Sequence, residues 1–245
     1  GKKRVHPERK MTMKRLLPWI LALILFCLGC GREEPPQETQ LPESNITVTR
    51  LRQNRDFGGF AGKPCTDADQ AETLIRQALE LYPPGVADQW GRVEILLCGE
   101  LSGEDRFAGG RWAGFTQRTE DGWLVVLDAG RCTAGTVHHE IAHILDGILT
   151  EAGALTENGW MEFCPGGFSY GQTGDYPDFF ADDYAMTDIR EDRARTFEDA
   201  VLYGPGIYAD RPALWLKLES FSRAIREHFD TEDWPEKTVW ELALE

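Results

Sequence analysis

His139-Glu140-Ile141-Ala142-His143 stands just past the middle of a 245-residue chain. On a helix, positions four apart share a face, so both imidazoles of this stretch can reach one ion. Glu140 is offset from the pair, where it can address a water beside the ion rather than the ion itself. Two His and a third protein ligand form a zinc set that keeps one position open for such a water. The pattern therefore predicts a zinc site with Glu140 as general base.

The surroundings of the motif fit a buried helix. Val137, Ile141, Ile144 and Leu145 supply an apolar side, and the spacing predicts a helix from about Ala134 to Leu149. Upstream, Trp123 to Leu127 and Trp112 to Thr119 read as strands joined by the turn Glu120-Asp121-Gly122. Val93 to Cys98 reads as another strand. Before it, Thr66 or Asp67 can cap a helix through about Leu81, with Ala71, Leu74, Ile75, Ala78 and Leu81 on its apolar face, ended by Pro83-Pro84-Gly85. Helices resume near Asp188 to Tyr203 and from Pro212 to about Phe229. Strands first and helices after predict an α+β domain with a small mixed sheet, an active-site helix and C-terminal helices.

The third ligand is not fixed by the motif. Leu149 stands six residues after His143, which excludes the long form of the motif with a His or Asp at that place. Asp146 is badly placed to reach the same ion but can hold a ligand imidazole from behind. A carboxylate from a later helix remains, and Asp182, Asp183, Asp188, Glu191, Asp192 and Glu198 are all available. His138 points about 100° from His139 and is expected to face solvent or a carboxylate. His228, in a charged segment, has no partner pattern. Neither is expected to be a ligand.

The N-terminal stretch suggests export. Met13 to Cys30 has a basic start, a short apolar run from Leu16 to Leu28 and small residues at its end, as a signal segment does. Thirteen apolar residues interrupted by Pro18 are short for a permanent bilayer span. Cys27-Leu28-Gly29-Cys30 resembles a bacterial lipobox, which implies a lipid on Cys30 and an extracytoplasmic protein anchored to the cell membrane. Residues 31–45, polar and Pro-rich at their start, are expected to form a flexible tether. Residues 46–245 form one domain, with no repeat and enough length for a single core.

Charge narrows the partners. Residues 1–29 carry seven Lys or Arg and one acid, so residues 30–245 hold 19 basic and 40 acidic residues, a formal charge of −21. Such a body repels nucleic acid and anionic lipid alike. Cys65, Cys98, Cys132 and Cys164 lie beyond the leader, without a Cys-x-x-Cys spacing; they either form up to two disulfides or remain buried thiols.

Downstream of the motif stands Tyr184-Ala185-Met186-Thr187-Asp188-Ile189-Arg190-Glu191-Asp192-Arg193-Ala194. A Tyr followed by Glu-x-x-Ala, after a His-Glu-x-x-His helix, resembles the gluzincin-type catalytic domain of anthrax lethal factor and zinc metallopeptidase lipoproteins of bacteria. The likeness spans about residues 123 to 203. It implies a zincin-like fold and peptide-bond hydrolysis, with Glu191 as the third zinc ligand beside His139 and His143. It also implies Tyr184 as the hydroxyl facing the oxyanion, and Ala194 as the small residue where two helices approach. Where that pattern carries a second acid this chain has Arg195, and the role passes to Asp192 or Glu198.

The sequence leaves two expectations of different kind. One is a lipid-anchored peptidase acting on a peptide or protein; the other is a non-catalytic zinc-binding surface lipoprotein, which has no need of Glu140. The stretch from Trp160 to Tyr170, rich in Gly and aromatics, forms either a wall or lid of the cleft or a loop that fills the core. Zincin folds in general offer a sheet edge to an extended substrate, but which strand is that edge is not legible here.

Overall fold

The computed structural model describes residues 39–40, 45–103, 110–172 and 174–245. The leader and Cys30 lie outside the described residues. Of the stretch 31–45, Thr39–Gln40 form a two-residue strand, β1, antiparallel to the next one.

The fold is α+β, with a mixed sheet and several helices. Five strands form the main sheet in the order β1-β2-β5-β8-β7. β2 (Ile46–Arg50), β5 (Arg92–Cys98) and β8 (Gly122–Asp128) run parallel to one another. β7 (Gly114–Arg118) lies antiparallel on β8, Arg118 opposite Trp123, through the turn that the sequence marks. β8 is buried at all seven positions, as a strand covered on both faces must be.

The helices do not simply follow the strands. A parallel pair needs a crossover, and β2 reaches β5 through α1 (Asp69–Leu79). Ala71, Ile75 and Ala78 of α1 pack on the sheet, whereas Leu81, expected on the same face, is 49 % exposed beyond the helix end. α2 (Ala134–Glu151) comes directly after β8. Thr133 caps it, accepting from Thr136 N–H at 3.1 Å, while Thr136 Oγ1 accepts from Thr133 N–H at 3.3 Å. A short α3 (Glu157–Met161), α4 (Ile189–Tyr203) and α5 (Pro212–His228) complete the set. Among the described residues, no helix is long and apolar enough to cross a membrane.

The period-two alternation of β5 and β8 divides the core. Val93, Ile95, Leu97, Trp123, Val125 and Leu127 join the helices in one large cluster. Leu96, Cys98, Leu124 and Val126 point the other way, to a second cluster with Leu51, Leu101 and Phe115. Covering that second face is a small three-stranded sheet, β3 (Arg55–Asp56), β4 (Phe60–Lys63) and β6 (Glu100–Gly103), in the order β3-β4-β6. Its β3–β4 hairpin turns through Gly58 and Gly59, at φ +74° and +121°, backbone that L side chains rarely adopt.

Trp160 to Tyr170 proves to be a filling rather than a lid. Phe168, Phe180, Ala185 and Met186 make a small core of their own, and Trp160 is buried in the main one. Asp192 of α4 anchors the segment: its Oδ2 accepts from Trp160 Nε1 at 2.8 Å, Tyr170 Oη at 2.7 Å and Lys217 Nζ at 2.7 Å. Lys217 and Asp192 are both fully buried. Cys65, Cys98, Cys132 and Cys164 are all free thiols, the first three buried.

Candidate metal centre

α2 and α4 pack against each other, and Ala194 of α4 is fully buried. From α2 come His139 and His143; from α4 comes Glu191. His139 Nε2 lies 3.1 Å from His143 Nε2 and 3.0 Å from Glu191 Oε2, and the third side of the triangle is 3.5 Å. This is the one group of three or more possible ligands found together among the described residues. Of the acids open as third ligand, it is Glu191 that meets both imidazoles.

Donor chemistry and spacing both fit zinc. Two imidazoles and one carboxylate form a known catalytic set, and bonds of 2.0–2.1 Å in a tetrahedron put donors about 3.3 Å apart. The three separations bracket that value.

The charges around His139 act the same way. Burial disfavours its charged form, but Glu191 on one ring nitrogen and Glu198 on the other outweigh that and push its pKa up to about 10. Burial also lifts Glu191, yet His139 and His143 hold it well below the usual carboxylate range. Glu191 and Glu198 thus set negative charge on both sides of the ring, which favours a cation nearby.

Glu198, not Asp146 or Asp192, stands behind the ligands. Its Oε2 lies 3.2 Å from His139 Nδ1, and Arg195 donates to the same oxygen. Asp146 instead accepts from Arg193 at 2.7 Å and Thr150 at 3.2 Å, fastening α4 to α2, and Asp192 serves the knot with Lys217. Arg195 thus holds in place the acid that backs His139.

Glu140 faces the edge strand. Thr116 of β7 donates to its Oε2 at 2.7 Å, and burial raises its pKa against the pull of His143 and His139. Its other oxygen lies 2.9 Å from where a Cβ on Gly114 would stand, so a side chain there would have to displace the carboxylate. Tyr184, in a 3-10 turn from Tyr184 to Met186, borders the same cavity with its ring centroid 6.2 Å from that of His139.

No family model, no curated protein and no solved structure matches the chain. The site therefore stands on its own geometry.

That geometry is an open cleft of about 760 Å³. His139, Glu140, His143, Tyr184 and Glu191 line it, together with Phe57, Phe60, Trp112, Phe115, Arg118 and Arg190. Among the described residues, β7 pairs only with β8, so its far side is the sheet edge at the cleft.

His138 departs from expectation. It is 1 % exposed rather than solvent-facing, its Nδ1 3.1 Å from Tyr82 Oη, and burial lowers its pKa to about 4. Its neutral ring is a packing element. His228 is exposed against Phe229, far from any ligand set in sequence and partners. The aromatic hairpin at the cleft went unread in the sequence, although Phe57-Gly58-Gly59-Phe60 carries a two-residue turn signal.

Proposed function

We propose that this chain is a zinc-dependent peptide hydrolase with a zincin-like domain, anchored outside the cell membrane through a lipid on Cys30. The observation that carries the reading is the convergence of His139, His143 and Glu191 on one point with Glu140 beside it.

Zinc held by these three residues would polarise a scissile carbonyl and acidify a water at the open position. Glu140 then accepts the water's proton on a carboxylate oxygen and returns it to the leaving amine. Its burial suits that role, since a raised pKa brings a carboxylate nearer to the working pH. Thr116 holds the carboxylate in place at Oε2. Tyr184, whose phenol lines the cleft, donates to the oxygen on which negative charge develops. Glu198 accepts from His139 Nδ1, which fixes the tautomer that leaves Nε2 free to bind metal.

The substrate is a peptide in extended form. β7 offers an open sheet edge next to Glu140, and adding a strand there supplies backbone hydrogen bonds without regard to sequence. The acidic body argues against nucleic acid as a partner.

The test is Glu140→Gln. Zinc content should match the parent, while peptide cleavage falls by roughly 10²–10⁴-fold. Equal cleavage would sink the assignment of the base. Zinc without cleavage in the parent as well would favour the binding module over the enzyme. Anchoring is tested apart: Cys30→Ser should move the protein from the membrane fraction to the soluble one.

A further inference from the structure

The β3–β4 hairpin places two aromatic rings beside the edge strand, and neither is needed for metal or base. Phe57 and Phe60 flank the Gly58–Gly59 turn and are only half-buried. Phe60 stacks on Phe115 of β7 at 4.3 Å and meets Trp112 edge-on at 5.1 Å; Phe57 meets Phe115 edge-on at 5.6 Å. All four rings line the same cleft as His139 and Glu140.

The pleat of β7 connects these rings to a bound chain. Thr116 points to α2, where its hydroxyl bonds Glu140, so its neighbour Phe115 points to the opposite face. A peptide laid along β7 repeats that alternation. Residues on one of its faces meet the metal ligands, and the next residue along meets the hairpin.

We propose that Phe57 and Phe60 form a specificity subsite that takes an aromatic or branched aliphatic side chain from a peptide paired with β7. This rests on the reading of β7 as the substrate edge. Half-exposed aromatic surface in a concave site is the common means of selecting an apolar side chain, because burying it removes apolar area of both partners from water. The turn glycines let the hairpin hold both rings at the rim of the cleft.

The experiment separates binding from cleavage. Glu140→Gln protein loaded with Zn²⁺ is used to select from a displayed library of random peptides. Aromatic or branched aliphatic residues should be enriched at one fixed position. Adding Phe57→Ala should weaken binding of the selected peptide about tenfold, the usual loss for a truncated apolar pocket. Adding Phe57→Glu should shift the same position toward Lys or Arg, a gain that a misfolded protein cannot produce. Unchanged apolar enrichment in both variants, or no enriched position at all, overturns the subsite. Cleavage of the selected peptide by the parent tests the hydrolase reading separately. A peptide that binds with the expected preference yet stays intact sinks the enzyme and leaves the subsite standing.

Discussion

Glu198 Oε2 sits 3.2 Å from His139 Nδ1, on the side of the ring opposite Glu191. One imidazole is thereby clamped by two carboxylates of the same helix, residues 191 and 198 being two turns apart on α4. The two acids differ in what they reach. Glu191 meets both Nε2 atoms, and Glu198 meets only the back of one ring.

Their removal should differ accordingly. Glu191→Ala takes away a ligand and should leave purified protein with little bound zinc. Glu198→Ala should lower zinc affinity by about 10–100-fold, the usual loss for a residue that orients a ligating His. Competition with a chelator measures both. Equal affinity in the two variants would move the third ligand elsewhere.

Tyr184→Phe removes one hydroxyl and no apolar surface. Turnover should fall by about 10²–10³-fold, in line with the loss of one oxyanion donor, at unchanged zinc content and thermal midpoint. A drop in the midpoint instead would assign Tyr184 to packing of the 3-10 turn.

Thr116→Val keeps shape and deletes the hydroxyl that donates to Glu140. The carboxylate is then free to leave its working position, so kcat should drop by about tenfold with KM nearly constant. A rise in KM alone would show that Thr116 acts on substrate rather than on the base.

Lys217→Met tests the knot behind the site. Asp192 is left fully buried without its cation, which costs about 3–5 kcal/mol. Chemical denaturation should show the loss, and limited proteolysis should cut first between residues 160 and 186, the segment that Asp192 fastens. Stability within about 0.5 kcal/mol of the parent would mean that the pair is not buried as described.

Asp199, which shares Arg195 with Glu198, gives a pH dependence of stability. Burial raises its pKa to about 6, with Arg195 at 3.8 Å pulling the other way. The folded state thus binds this proton more tightly than the unfolded chain, whose Asp titrates near 3.9. Its contribution is fully present below about pH 4 and is lost as pH rises through about 6. Asp199→Asn should therefore stabilise the protein by on the order of 1 kcal/mol at pH 7 and change little at pH 4. Thermal midpoints of both proteins across that range check the sign.

Much of this was legible without coordinates, because it is local. Four residues of spacing set both imidazoles on one helical face, the apolar side of Val137, Ile141, Ile144 and Leu145 marked the helix around them, and short apolar runs marked β5 and β8. The thiols show the limit. Export predicts pairing as readily as burial, and only the packing leaves Cys65, Cys98, Cys132 and Cys164 apart. His138 makes the same point: a step of 100° around a helix says where a ring points, but not that Tyr82 waits there.

By itself the sequence determined the α+β class, the His-Glu-x-x-His face and a short set of acids from which a third ligand could come. Which acid reached the imidazoles was decided by how α4 lies on α2, a matter of side-chain packing across 52 residues of chain. The same holds for β7 as the sheet edge and for the aromatic hairpin above it. Periodicity is written within each element, whereas contact between elements depends on shapes that close on one another only when the whole core is buried.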